Sequence, residues 1–321
     1  MKRLLSIIAT LLCLLETPVC AAADWPSKQV RVVVPYAPGS TPDIIARLIF
    51  DRVAKQTGKP VVIDNKPGAA GMIGADAVAK STPDGLTLLL SPSGPLVTNA
   101  LLYRTMAYSP LKDLTPVALV AETPSILVAS NAVAARNVTE VLKAMADPKE
   151  RLAYGSPGNG TLSHLSMAYL VSRAGGDVPN VPYPGSPQIV TAMIANDVQL
   201  ATLPPLAVAP FIANGRIKAI GTVGPKRSEL LPNLPTLKEQ GVDFQPTGWF
   251  GIAAPTGTPK DVIETIHASI AMALKDPDLA KSYKLQGLDV VDLGPSQFAT
   301  YIQHELEMWK PVIEKNPISL D

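Results

Sequence analysis

Two rhythms of apolar residues alternate along this chain. Residues 29–34, with Val30, Val32, Val33 and Val34, form a short β-branched run closed by Pro35, and residues 43–50 then carry apolar positions at helical spacing. The pair predicts a buried strand, a loop and a helix. Residues 60–63 and 87–90 predict two more strands, with a glycine-rich turn over 68–74 and a helix through Val78 between them. Strand and helix taking turns in this way predict a largely parallel sheet with helices on its faces. Residues 117–120 and 126–129 read as strands separated by Glu122, Thr123 and Pro124, where the chain is expected to cross into a second lobe. The same grammar resumes from about Val138 to Val223, with strands near Ala153, Val198 and Ala219 and helices after Gly160 and Ser186. Residues 249–254 are strand-like, and Val262, Ile266 and Ile270 form an apolar stripe on a helix that starts at Asp261, which predicts a return to the first lobe. The expected fold is α/β: a clamshell with two crossover strands, residues 24–124 and 245–321 in one lobe and 125–244 in the other. Its ligand cleft is expected at the carboxyl ends of the strands.

The first residues do not belong to this pattern. Lys2 and Arg3, an apolar stretch over 4–15 and small residues over 19–23 read as a secretory signal peptide, residues 1–23. The apolar stretch is too short to cross a hydrocarbon core of about 30 Å. Cys13 and Cys20 both lie within this signal peptide, so the mature chain is expected to be exported, soluble and free of disulfides. Thr17, Pro18 and Val19 do not give Cys20 the context that lipidation needs. Cleavage after Ala23 leaves 298 residues, a length that favours two domains, and turns 28 basic and 27 acidic side chains into 26 of each. A neutral chain has no electrostatic basis for binding nucleic acid. His164, His267 and His304 are far apart in the sequence and have no cysteine to join them, so no metal site is expected. The Gly-x-Ser-x-Gly elbow and the phosphate loop ending in Gly-Lys-Ser/Thr do not occur, and neither a catalytic residue nor a cofactor is assigned.

What remains is a set of loops. Tyr36, Pro38, Gly39, Ser40, Thr41 and Asp43 lie between the first strand and the first helix. Gly39 permits close backbone approach, Ser40 and Thr41 bring hydroxyls, and Asp43 suits a helix start that leaves neighbouring amides pointing into the cleft. Alone, this segment reads as an ordinary capped loop. The second lobe repeats it, with Ser156, Gly158, Asn159, Gly160, Thr161 and His164 ahead of a helix. Two facing helix starts suit a carboxylate better than a cofactor. Residues 158–163 approach the dinucleotide fingerprint but put Ser163 at its last glycine, a weak match. His164 reads as a packed or capping residue rather than a base, because no partner nucleophile is identifiable. Ser91 and Ser93 at the end of a strand, and Tyr183, Gly185 and Ser186 before a helix, are expected to line the same cleft. Tyr183 either stacks on a ligand or packs, and Trp249 reads as core.

These loops carry a resemblance. Residues 34–39 with 43–47, 65–71 with Ile73 and Gly74, 83–85, 155–161 with His164, 181–186, 226–228 with 234–236, and 249–251 with 254–259 are similar, in that order, to the Bug family, the receptors of tripartite tricarboxylate transporters. The similarity spans essentially the whole mature chain. It implies a periplasmic binding protein of the type II, Venus flytrap, arrangement. Such a receptor closes on a small carboxylated solute and delivers it to a two-component membrane permease driven by an ion gradient. It implies that backbone amides, small hydroxyls and water from loops 35–43 and 155–161 hold the carboxylate. A monomer is expected, since a carrier must present both lobes to the permease. Two departures stand out. Ser40, Thr41 and Pro42 follow a single Gly39 where the family usually has consecutive glycines, and Leu203 and Pro204 stand where members often carry an acid. The second departure predicts a ligand without an α-amino group, a dicarboxylate or an aromatic carboxylate. The alternatives are a ligand-binding partner of an extracytoplasmic sensor kinase and an exported hydrolase using Ser156 or Ser163 with His164.

Overall fold

Val30–Val34 forms β1, its four valines buried because they serve two cores, with Arg31 half-buried among them. Val32 and Val34 pack with Ile45, Ile49 and Ile266 on one face of a sheet, and Val33 packs with Leu89, Trp249 and Phe298 on the other. A strand covered on both faces reads as a continuous apolar run rather than an alternating one. The computed structural model describes residues 25–315. The expected signal peptide, with both cysteines, lies outside the described residues.

After β1 come α1 (Thr41–Thr57), β2 (Val61–Asn65), α2 (Met72–Ala79), β3 (Thr87–Pro92) and β4 (Leu114–Thr123). Gly58, in the left-handed region at φ 68°, stops α1 and donates its N–H to Ala54 O. Only Pro124 separates β4 from β5 (Ser125–Ser130), which belongs to the second sheet. There follow α3 (Val138–Ala146), β6 (Tyr154–Ser156), α4 (Leu162–Ala174), β7 (Asn180–Pro182), α5 (Ser186–Ala195), β8 (Leu200–Leu203), α6 (Pro205–Ala213) and β9 (Ile217–Val223). The chain returns through β10 (Gly248–Pro255) and ends with α7 (Lys260–Leu274), α8 (Pro277–Leu285), β11 (Asp289–Leu293) and α9 (Pro295–Lys315).

The first sheet has the order β11-β4-β10-β3-β1-β2 and the second β7-β6-β8-β5-β9. Both are mixed, which corrects the expectation of largely parallel sheets. β1 runs parallel to β2 and β3, and β6 parallel to β7 and β8. β10 is antiparallel to both its neighbours, β3 and β4, and β5 is antiparallel to β8 and β9. The physical reason is the crossing itself. β4 leaves the first lobe and β10 re-enters it, so two strands that lie side by side run in opposite directions. An apolar run reports burial, not direction.

The single sheet of the second lobe is likewise covered on two faces, by clusters built around Leu127, Leu165 and Leu170 and around Ile126, Ile189 and Val190. α9 serves both lobes. Phe298 and Ile302 pack in the first, whereas Trp309, Val312 and Ile313 pack among the residues of the second. No helix among the described residues is long and apolar enough to cross a membrane.

Candidate functional site

A cavity of about 820 Å³ lies between the lobes, where the carboxyl ends of β1, β3 and β6 deliver their loops. Three helices begin on its wall. α1 starts behind Ser40, α4 behind Thr161 and α5 behind Gly185, and the residues at all three starts line the cavity. First-turn amides have no carbonyl behind them within the helix, and the helix dipole adds partial positive charge at the same place. No Asp, Glu, Lys, Arg or His lines this cavity among the described residues. Such a wall can hold an anion with peptide groups and neutral hydroxyls alone.

Each helix start is held from behind. Asp43, almost fully buried, sits in the first turn of α1 and reaches back to accept the Gly39 N–H at 2.9 Å. It also accepts Asn65 Nδ2 at 3.0 Å and pairs with Arg47 at 2.9 Å. Burial alone would raise its pKa, but the bonds from Arg47, Gly39 and Asn65 outweigh burial and hold it below the ordinary carboxylate value. Asp43 thus shapes the loop from outside the cavity. With its amide so used, Gly39 adopts φ 79° and turns Ser40 inward. Ser40 lines the cavity, while its hydroxyl is buried and has no hydrogen-bond partner among the described residues.

The α4 start uses a different device. His164 accepts the Gly160 N–H on Nδ1 at 2.9 Å and stacks on Tyr154 with ring centroids 6.2 Å apart. Burial lowers its pKa, which favours the neutral ring that this acceptor role requires. Thr161 caps the helix, donating its own hydroxyl to Gly158 O at 2.8 Å. Tyr36, in the cavity wall, has its pKa pushed up to about 12 by burial and by Tyr103, so its hydroxyl stays protonated.

Of the residues expected from sequence, Tyr36, Gly39, Ser40, Thr41, Ser93, Asn159, Gly160, Thr161, Gly185 and Ser186 are brought together on this wall. Pro38, Asp43, Ser91, Ser156, Gly158, His164, Tyr183 and Leu203 are not part of it. Ser91 and Ser156 are fully buried at strand ends, and Ser156 donates to Gly158 O at 3.2 Å. Tyr183 packs against the second sheet rather than the cavity, and Leu203 points into that sheet's core. The sequence reading missed Thr98 and Asn99, which line the cavity although each is 3% exposed. Two polar residues closing the apolar run 95–97 were the available signal. Trp249 is core, as expected, yet it also borders the cavity, beside Gly248 and Phe250.

The same geometry removes the hydrolase alternative. The Ser163 hydroxyl donates to Thr202 O, Ser156 is committed to Gly158, and the His164 Nδ1 is occupied by a backbone amide. No serine is poised on an imidazole here.

Comparison with known proteins agrees. The family model described as "Tripartite tricarboxylate transporter family receptor" matches residues 45–318. A protein from the tcbD-tcbE intergenic region of Pseudomonas sp. strain P51 is 33% identical over 97% of this chain and 93% of its own length. Protein BugT of Bordetella pertussis is 30% identical over 100% of this chain and 99% of its own. Among solved structures, Rpa4515 of Rhodopseudomonas palustris with adipate is 31% identical, with TM-score 0.78, over 92% of this chain and 99% of that one. MatC of the same organism, with bound malate, is also 31% identical, with TM-score 0.76, over 90% of this chain and 100% of that one. The chain belongs to the tripartite tricarboxylate transporter receptor family, TctC or Bug, of non-enzymatic periplasmic solute-binding proteins.

Proposed function

We propose that this chain is an exported receptor that captures a small carboxylate without an α-amino group and hands it to a two-component permease of the tripartite tricarboxylate type. The ligand is a dicarboxylate, with an aromatic carboxylate as the second reading. The observation that carries this is the wall itself, with three helix starts and residues bearing neutral hydroxyls but no charged side chain. One helix start comes from the first lobe and two from the second, so an anion at each end of a short ligand meets amides on both sides. An ammonium group would meet no carboxylate on this wall. The relatives solved with adipate and malate support the dicarboxylate reading. Tyr36, Trp249 and Phe250 on the wall favour the aromatic one. A ligand that touches both lobes shifts the balance between open and closed forms towards closed.

The test is a thermal-shift screen of ligand-stripped protein against dicarboxylates, tricarboxylates, aromatic carboxylates and amino acids. A ligand at 100 times its Kd adds about 2.7 kcal/mol of stability, which raises the melting temperature visibly. Tight binding of aspartate or glutamate with no response to their deaminated analogues overturns the ligand class. Deleting the gene and measuring solute uptake separately from transcriptional response distinguishes transport from partnership with a sensor kinase.

A further inference from the structure

Between β2 and α2 four successive residues pass through the left-handed region: Gly68 at φ 129°, Ala69 at 46°, Ala70 at 51° and Gly71 at 85°. Glycine enters this region freely. Alanine does not, because its Cβ crowds the neighbouring carbonyl oxygen. Two consecutive alanines there persist only where the surroundings impose them. The Gly71 N–H closes the turn on Gly68 O at 2.9 Å. Asn99, almost fully buried, donates Nδ2 to Ala70 O at 3.1 Å. Pro95 packs so closely that a Cβ on Gly71 would come within 2.6 Å of its ring. Pro95 itself belongs to a π-helical turn, Gly94–Thr98, an irregularity that recurs at functional sites. Two unusual backbone segments thus brace each other at the first-lobe end of the cavity. Ala70 lines that cavity and Ala69 does not.

We propose that Ala70 is a specificity-determining residue, its methyl group held by this strained turn and by Asn99 against the hydrocarbon chain of the bound carboxylate. The inference rests on the carboxylate reading above and deepens it. Glycine at 69 releases strain and changes nothing in the cavity. Glycine at 70 releases the same strain but withdraws the methyl group. Stability and affinity should therefore move in opposite directions at 70, and stability alone should move at 69.

The experiment compares the purified protein with Ala69→Gly and Ala70→Gly, by melting temperature and by calorimetric titration with unbranched dicarboxylates from succinate to suberate. Both variants should melt about 2–4 °C higher than the parent. Ala70→Gly should bind the best-fitting dicarboxylate about fourfold more weakly, the worth of one buried methyl group, and discriminate less between chain lengths. Ala69→Gly should keep the parent affinity and length profile. Parent-like binding by Ala70→Gly, or equal weakening by Ala69→Gly, overturns the inference. A parent that binds none of the series overturns the carboxylate reading instead. The turn is then judged by the small molecules retained from a bacterial metabolite extract, read by native mass spectrometry, which Ala70→Gly must alter and Ala69→Gly must leave alone.

Discussion

His164 is a buried imidazole that accepts a hydrogen bond from one backbone amide, and its removal tests how the second-lobe cradle is held. Replacing it with leucine leaves the Gly160 N–H without its 2.9 Å acceptor. An amide stranded in this way costs about 1–3 kcal/mol, or about 5- to 150-fold in the folding equilibrium. Lost contact with Tyr154 adds to it. The pH dependence carries the sharper signature. Burial places the folded-state pKa below the unfolded value of about 6.5. The unfolded chain then binds the proton more readily, so the contribution of His164 is fully present above pH 6.5 and is lost as pH falls through the lower folded pKa. Protonation also converts Nδ1 from acceptor to donor facing the Gly160 N–H. Urea unfolding followed between pH 5 and 8, parent against His164→Leu, isolates this group. The gap between the two should be widest above pH 6.5 and narrow on acidification. A gap that is constant across that range refutes the acceptor role. An unchanged ligand affinity in His164→Leu refutes the claim that this bond shapes the cradle.

Two buried carboxylates give further outcomes. Asp43→Ala should weaken ligand binding at the α1 start and lower stability by about 1–3 kcal/mol, because the Gly39 amide and Asn65 lose their acceptor; titration calorimetry and urea unfolding check both. Glu305, 4% exposed, accepts the indole N–H of Trp249 at 3.0 Å and of Trp309 at 3.2 Å on one oxygen. Glu305→Gln can keep both bonds, so it should melt near the parent, whereas Glu305→Ala should lose roughly 2–4 kcal/mol and blue- or red-shift the tryptophan emission. Equal losses in the two variants would show that the acceptor oxygen is irrelevant.

Much of the fold was legible because burial on both faces writes itself as apolar runs. Residues 29–34, 87–90 and 249–254 fall on β1, β3 and β10, and the crossing expected at Pro124 lies between two sheets. Strand direction was not legible, since Leu88 and Ile252 are equally apolar although β3 and β10 run oppositely. The loops of the site were legible from their glycines and hydroxyls ahead of helices. Which of their side chains turn inward was not. Asp43 and His164 were visible as chemistry, but their polar atoms serve the backbone behind the wall. Thr98 and Asn99 reach the cavity through a π-helical turn, which no apolar period announces. Leu203 follows strand alternation into the core, so the absence of an acid on the wall is a property of the whole cavity rather than of that one position.

The C-terminal helix changes what kind of machine the two lobes form. Two strand connections, one of them the single residue Pro124, define an axis and would let the halves swing like a door. α9 adds a third tether off that axis, rooted at Phe298 in one core and at Trp309 in the other. Pro311 removes a hydrogen-bond rung from this tether within its last turns. Relative movement of the lobes must therefore bend or slide a helix, and the softest place to bend it is beside the second core. Closure that keeps Phe298 and Trp309 seated in their separate cores therefore works against the stiffness of one continuous helix.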